Sequence, residues 1–196
     1  MQNRIRNIRG FTLVELLTVI AIIAILAALI FPAIKNSLKK AEIAKAQTAI
    51  AGLEIAFKAY FNEYGHWPAV TGDSHGTMTT TNGLVALLRG EDFGTIEGSV
   101  TYGGNPRHVV FMEFKAQDLV ISNNKTNFVD PWRRPYEFSF DPSYSNTTTN
   151  PFNNPVTFIN AGHLIWSTGP DTQELGWWQA GAKEGQGVNK DNVVSW

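Results

Sequence analysis

Residues 11–34 form a run of 24 in which Glu15 is the one ionisable side chain, and no other feature restricts this chain as severely. A helix of that length reaches ~36 Å, enough to cross the roughly 30 Å hydrocarbon core of a bilayer with some tilt. Arg4, Arg6 and Arg9 precede the run, with no acid among residues 1–10. The positive-inside bias therefore keeps the N-terminus in the cytoplasm and sends the chain after Lys35 across the membrane. A cleaved secretory signal would have an apolar region of about 7–15 residues, and this one is longer.

Two residues sit oddly in a simple tether. A carboxylate in hydrocarbon is penalised by ~2.5–3.5 kcal/mol on insertion scales, so Glu15 calls for a cationic partner, and none lies within the run. Cleavage between Gly10 and Phe11 would create one, the new α-amino group. Pro32, near the far end, removes a helical donor and crowds the preceding turn, which predicts a kink or local unwinding.

Arg9-Gly10-Phe11-Thr12-Leu13-Val14-Glu15-Leu16 resembles the cleavage and methylation motif of type IV prepilins and type II secretion pseudopilins. The resemblance implies that a membrane prepilin peptidase cuts after Gly10 and that Phe11 is then N-methylated. It implies also that Glu15 neutralises the Phe11 amine of a neighbouring subunit in a filament, and that Pro32 marks a helix segment able to melt on assembly. Loss of the leader takes three positive charges from a formal net charge of −1, leaving −4.

Beyond Pro32 the pattern remains helical. Ile43, Ala46, Ile50, Leu53, Phe57, Tyr60 and Tyr64 recur at steps of 3 and 4, with Lys39, Lys40, Lys45, Gln47, Glu54 and Lys58 on the other face, as in a helix lying on a water-soluble domain. Gly65 and Pro68 stop it. One helix over about residues 11–63 follows, with residues 11–34 in the membrane and 35–63 amphipathic, and a globular domain over 64–196. In that domain Asn82–Arg89 reads as a short helix closed by Gly90. His108–Phe114, Leu119–Ser122, Tyr136–Phe140, Val156–Ile159 and His163–Ser167 read as strands, and Thr77–Asn82, Ser143–Asn154 and Gly181–Asn192 as loops. The fold class is α+β, a long N-terminal helix on a small antiparallel sheet.

The globular part extends the resemblance toward the major pseudopilin of type II secretion. Tyr60–Pro68 is similar to that family's helix end with its Gly-x-Tyr-Pro turn, Trp67 replacing the tyrosine. Thr81–Leu88 resembles its next short helix, and Asp130-Pro131-Trp132-Arg133-Arg134-Pro135-Tyr136 its Asp-Pro-Trp-Gly-x-Pro-Tyr turn, with Arg133 where glycine is usual. Ser167–Asp171 and the closing Asp191-Asn192-Val193-Val194-Ser195-Trp196 look like its calcium loop and Asp-Asp-Ile-x-x-Trp ending. Asn192 replaces an acid, and Asp92–Asp130 stands as an insertion.

No catalytic constellation is present. His66, His75, His108 and His163 are scattered, and there is no phosphate-binding glycine loop and no Gly-x-Ser-x-Gly. Sixteen basic side chains offset by 17 acidic ones give no basic footprint for nucleic acid, and the absence of cysteine excludes disulfides and thiolate metal sites. Trp166 and Trp196 read as core and one of Trp177 and Trp178 as surface. Spacing alone makes Asp171, Glu174, Glu184 and Asp191 turn-forming acids. The resemblance instead implies a calcium ion held by Asp171, Asp191 and Asn192 as the loop 169–192 closes.

The resemblance implies a structural subunit rather than an enzyme, anchored in the bacterial inner membrane with a periplasmic C-terminal domain. It would polymerise with itself and with minor pseudopilins on an inner-membrane secretion platform. A type IV pilin for adhesion, motility or DNA uptake is the first alternative, and a membrane-anchored sugar-binding or hydrolytic protein the second.

Overall fold

The computed structural model describes residues 11–68, 78–80, 82–91, 96–97, 100–101, 104–122, 125–141, 143–174, 176, 179–180 and 182–196. Helix α1 spans Leu13–Tyr64. It stays helical through Pro32, so of the kink or unwinding that the sequence predicts the unwinding does not occur; a proline withdraws one backbone donor and leaves the hydrogen bonds of the turns on either side in place. The chain divides into two compact units, residues 1–41 and 42–196.

In the first unit, the described side chains from Phe11 to Phe31 are exposed except for Ala27, which is half-buried. The apolar surface runs all round the helix rather than along one stripe. A helix of that kind is covered by lipid or by other helices.

In the second unit the α1 stripe Ala46, Ile50, Leu53, Ala56, Phe57 and Tyr60 is fully buried. It shares one core with α2 (Asn82–Leu88) and with Phe138, Ile165 and Val193 of an antiparallel sheet. That sheet has the order β1-β6-β9-β10, from Met78–Thr79, Glu137–Phe140, His163–Ser167 and Val193–Val194. Phe138 faces Ile165 across β6 and β9, and Trp166 faces Val194 across β9 and β10. Three two-stranded ribbons complete the unit: β2 (Ile96–Glu97) with β3 (Val100–Thr101), β4 (Leu119–Ser122) with β5 (Lys125–Phe128), and β7 (Thr148–Thr149) with β8 (Phe158–Ile159). A second aromatic core holds Phe152, Leu164 and Trp166, with Trp196 packed against it.

Residues 108–114 are not a strand. His108 takes a left-handed backbone with φ 53°, and the amides of Phe111 and Met112 both donate to the Leu88 carbonyl at 2.9 and 3.1 Å. Those amides close the C-terminal end of α2 instead of pairing in a sheet. The segment is anchored by buried Asn105, whose amide donates to the carbonyls of Leu87 (2.9 Å) and Val109 (2.8 Å) and whose Oδ1 accepts from the Tyr64 hydroxyl (2.5 Å). Residues 104–114 of the insertion thus fasten the end of α1 to α2.

The turn at Asp130 shows why glycine is the usual residue three positions later. The buried Asp130 carboxylate accepts from the amides of Trp132 (3.0 Å) and Arg134 (2.8 Å) and from the Ser167 hydroxyl (2.6 Å), tying the turn to β9. Burial raises its pKa, and those donors and Arg134 counter the rise. Arg133, inside the turn, has φ 72°, a conformation that costs an L-residue with a Cβ roughly 1–2 kcal/mol. Arg133→Gly is therefore expected to stabilise the protein by about 1 kcal/mol, read as a raised midpoint in urea with an unchanged slope; an unchanged or lowered midpoint would show that the arginine side chain offsets the strain.

Candidate functional site

Two places combine the sequence-predicted residues. At the start of α1, Glu15 Oε2 accepts from the Thr12 amide (2.9 Å) and hydroxyl (2.8 Å), while Thr12 Oγ1 accepts from the Glu15 amide (3.2 Å). This is a reciprocal capping box, Thr-x-x-Glu, which satisfies helix-terminal donors that otherwise lack partners. Phe11 precedes it and is exposed. Gly10, the predicted cleavage position, lies outside the described residues, and so does the side chain of Pro32.

The second place is the loop 169–192. Gly169 has φ +73°, and a Cβ there would overlap the Asp191 carbonyl, so only glycine lets the loop's two ends approach this closely. The Asp171 amide donates to Asp191 Oδ2 at 3.2 Å, which closes the loop. Asp191 Oδ1, both polar atoms of the Asn192 side chain and the Thr168 hydroxyl are buried without a hydrogen-bond partner among the described residues. A buried polar atom left unpaired costs ~1–3 kcal/mol; three of these atoms are oxygens, Asp191 Oδ1, Asn192 Oδ1 and Thr168 Oγ1, while Asn192 Nδ2 is an N–H donor that a cation would not satisfy. Asp171 Oδ1 accepts from the Gln173 amide at 2.9 Å. The acids Glu174 and Glu184 serve elsewhere, taking the indole N–H groups of Trp166 (3.0 Å) and Trp196 (2.8 Å). Burial raises the pKa of Glu174, with Trp166, Glu137 and Arg134 acting against it. Among the described residues, no three His, Cys, Asp or Glu side chains gather as a metal group.

A family model, the prokaryotic N-terminal methylation motif, matches residues 5–31. This is a prepilin-type N-terminus on a pilin-like α+β fold. The fimbrial protein EcpC of Eikenella corrodens is 39% identical over 75 residues, 38% of this chain and 48% of that protein. The type IV major pilin protein PilE1 of Neisseria gonorrhoeae is 40% identical over 60 residues, 31% of this chain and 36% of that protein. The type II secretion system core protein G of Escherichia coli K12 is 38% identical over 80 residues, 41% of this chain and 48% of that protein. The chain thus spans less than half the length of these curated relatives. They are structural subunits and not enzymes. No solved structure matches the chain.

The prepilin-type motif also contains a helix cap. Thr12-Leu13-Val14-Glu15 ahead of an apolar run is itself a capping-box signature, so the pair was legible without the structure. Thr168 was not, because a hydroxyl among Ser, Thr and Gly carries no signal until burial leaves it unpaired. Trp166 is fully buried and Trp196 half-buried, while Trp177, Trp178 and His75 lie outside the described residues. His66 and His108 each direct Nδ1 at a backbone carbonyl, of Trp67 and of Gly90.

Proposed function

We propose that this chain is a structural subunit of a periplasmic pseudopilus of the type II secretion class, built by stacking N-terminal helices. The observation that carries the reading is a prepilin-type motif opening a 52-residue helix whose first half is apolar on every side. Such a surface is at rest in lipid as a stored subunit and among sister helices in a filament, and transfer between the two environments costs little hydrophobic energy. Prepilin peptidase cuts after Gly10 and Phe11 is N-methylated. The anchor lies in the inner membrane with the globular unit in the periplasm, and minor pseudopilins and an inner-membrane secretion platform are the assembly partners. Core protein G among the relatives and the Asp130 turn favour this reading. The fimbrial and pilin relatives favour a type IV pilus as the second one.

The ion assigned to the loop in this reading is calcium. Asp191 Oδ1, Asn192 Oδ1 and Thr168 Oγ1 are buried, unpaired oxygens of the kind that ion takes, and Asp171, whose amide donates to Asp191 Oδ2, is the further acid assigned to it. A bound ion would supply the charge that these oxygens lack and hold the two ends of the loop together.

Gly10→Val is expected to leave the leader attached, because a β-branched side chain replaces the small residue at the scissile junction. Full-length precursor in membranes and an N-terminal sequence starting at Met1 are the expected results. A normal cut before Phe11 in that variant would remove the peptidase from the reading. Deletion of the gene encoding this chain should block protein export without affecting surface pili; loss of pili or motility, with export intact, would favour the type IV pilus.

A further inference from the structure

A cleft of about 270 Å³ opens beside α1 in the globular unit, lined by Glu54, Lys58, Trp67, Asn146, His163 and Trp196. We propose that it binds one neutral pyranose ring, either a free sugar or the end residue of a glycan. Its size lies just below the usual range of small-molecule sites, roughly 300–1,000 Å³, which limits it to a single ring.

Charge decides the class of ligand. Lys58 Nζ is 2.6 Å from Glu54 Oε1, so an anion would have to take the lysine from its carboxylate and a cation would have to displace the lysine. His163, nearly buried, has Nε2 3.9 Å from the same carboxylate oxygen. Burial lowers its pKa, with Glu54 acting against this and Lys58 with it, which favours the neutral imidazole. The cleft thus offers no uncompensated side-chain charge to an ion. A purely apolar ligand fits no better, since it would cover Glu54, Asn146 and the imidazole without replacing their water, at ~1–3 kcal/mol for each group left unpaired. A ligand with one apolar face and several hydroxyls satisfies both demands. Trp67 and Trp196 line the cleft and give it an apolar wall against which a sugar's C–H groups can pack, and the polar side chains supply donors and acceptors.

The cleft is also held in shape. Trp67 stacks on Phe140 at 5.3 Å with 8° between the planes, and Trp196 stacks on Phe152 at 5.8 Å. Gly162 keeps the floor clear, because a Cβ there would lie 3.0 Å from Trp67 Cζ2 and 3.7 Å from Asn146 Oδ1. Asn146 sits in a loop where both it and Tyr144 have φ 56°. That loop is held by the Asp141 carboxylate, which accepts from the Ser143 amide (2.9 Å) and hydroxyl (2.6 Å), the Ser145 hydroxyl (3.1 Å) and the Thr147 amide (3.2 Å). Strained residues persist where the surroundings over-determine them, and here that fixes the backbone that carries Asn146 at the mouth of the cleft.

The test uses the full chain in a detergent without a sugar headgroup, titrated with D-glucose, D-galactose and N-acetyl-D-glucosamine and with short oligomers of each. Tryptophan fluorescence and saturation-transfer NMR are the readouts, and glucuronate and choline are the charged controls. Saturable binding of at least one neutral sugar is expected, with affinity lowered about tenfold or more in Asn146→Gly, which removes the amide and keeps the left-handed backbone. Gly162→Val, which fills the floor, should abolish binding. Oligomers binding more tightly than monomers would identify a glycan end, and equal affinity a free sugar. No saturable signal from any neutral sugar, tighter binding of either charged control, or unchanged affinity in a folded Asn146→Gly would overturn the proposal.

Discussion

Glu15→Gln is expected to enter the membrane normally and to form no filaments. The choice of glutamine matters, because Glu15 has a task within its own helix, accepting from the Thr12 amide and hydroxyl at 2.9 and 2.8 Å. Glutamine occupies the same place in a capping box as glutamate, so the variant retains the helix start and loses only the negative charge. Alanine loses both, and its failure to assemble would not separate the two roles. If the charge meets the Phe11 amine of a neighbour, the pair at 4 Å is worth ~4 kcal/mol at an effective dielectric of 20. That energy recurs at every added subunit, enough to end polymerisation. Thr12→Ala provides the converse control: it removes the cap, at about 0.5–2 kcal/mol, and leaves the charge, so filaments should form in reduced number. Fractionated membranes report insertion, and electron microscopy of sheared filaments reports assembly. Filaments at wild-type yield from Glu15→Gln would show that Glu15 is only a helix cap and would refute the pairing.

The long helix was legible because its evidence is additive: 24 nearly uninterrupted apolar residues, followed by a stripe that repeats at steps of 3 and 4. The short helix at Asn82–Leu88 and the strands β4, β6 and β9 were legible for the same reason on a smaller scale. Pairings of two residues, such as Met78–Thr79 and Thr148–Thr149, fell inside segments read as loops, since two residues cannot display a period. The segment 108–114 misled because Val109, Val110 and Phe111 have the composition of a strand, whereas the backbone there is committed to capping α2. Arg133 marks a middle case. The resemblance named it as a departure from glycine, and its φ of 72° supplies the physical reason.

Asn105, Asp130 and Asp141 organise three turns from buried or nearly buried positions, and none stood out in the sequence. Asn and Asp are common in turns whether or not anything converges on them; convergence is a tertiary fact. The cleft beside α1 was hidden more completely. Its walls come from α1, Trp67, the 141–147 loop, the start of β9 and the 195–196 segment, so no local window contains it. The sequence placed Trp166 and Trp196 in the core and one of Trp177 and Trp178 at the surface; Trp166 is core, but Trp196 is half-buried and lines the cleft, joined there by Trp67, which the resemblance named only as the residue replacing a family tyrosine.

Calcium is expected to raise the melting temperature of the full chain in detergent by roughly 5–10 °C. At a hundredfold excess over Kd an ion that binds only the folded state adds ~2.7 kcal/mol, and in a protein of this size each kcal/mol moves the midpoint by about 2–4 °C. The loop has reason to use such an ion, since five glycines in 169–192 give it much ordering entropy to lose and little apolar area to bury. Asp191→Ala should remove the calcium increment, and Asp171→Ala should reduce or remove it. Each is also expected to lower the melt in chelator, because Asp191 accepts the Asp171 amide and Asp171 accepts the Gln173 amide, so the increment and not the absolute midpoint is diagnostic. Thr168→Val separates the two accounts by sign. If the buried hydroxyl ligates the ion, an isosteric valine lowers the increment. If no ion binds, the hydroxyl is only a desolvated group without a partner, and replacing it with a methyl group should stabilise the protein by ~1–3 kcal/mol in chelator and in calcium alike. Melts that are identical with and without millimolar calcium, together with a stabilised Thr168→Val, would show that the loop is closed by Gly169 and the Asp171–Asp191 hydrogen bond alone.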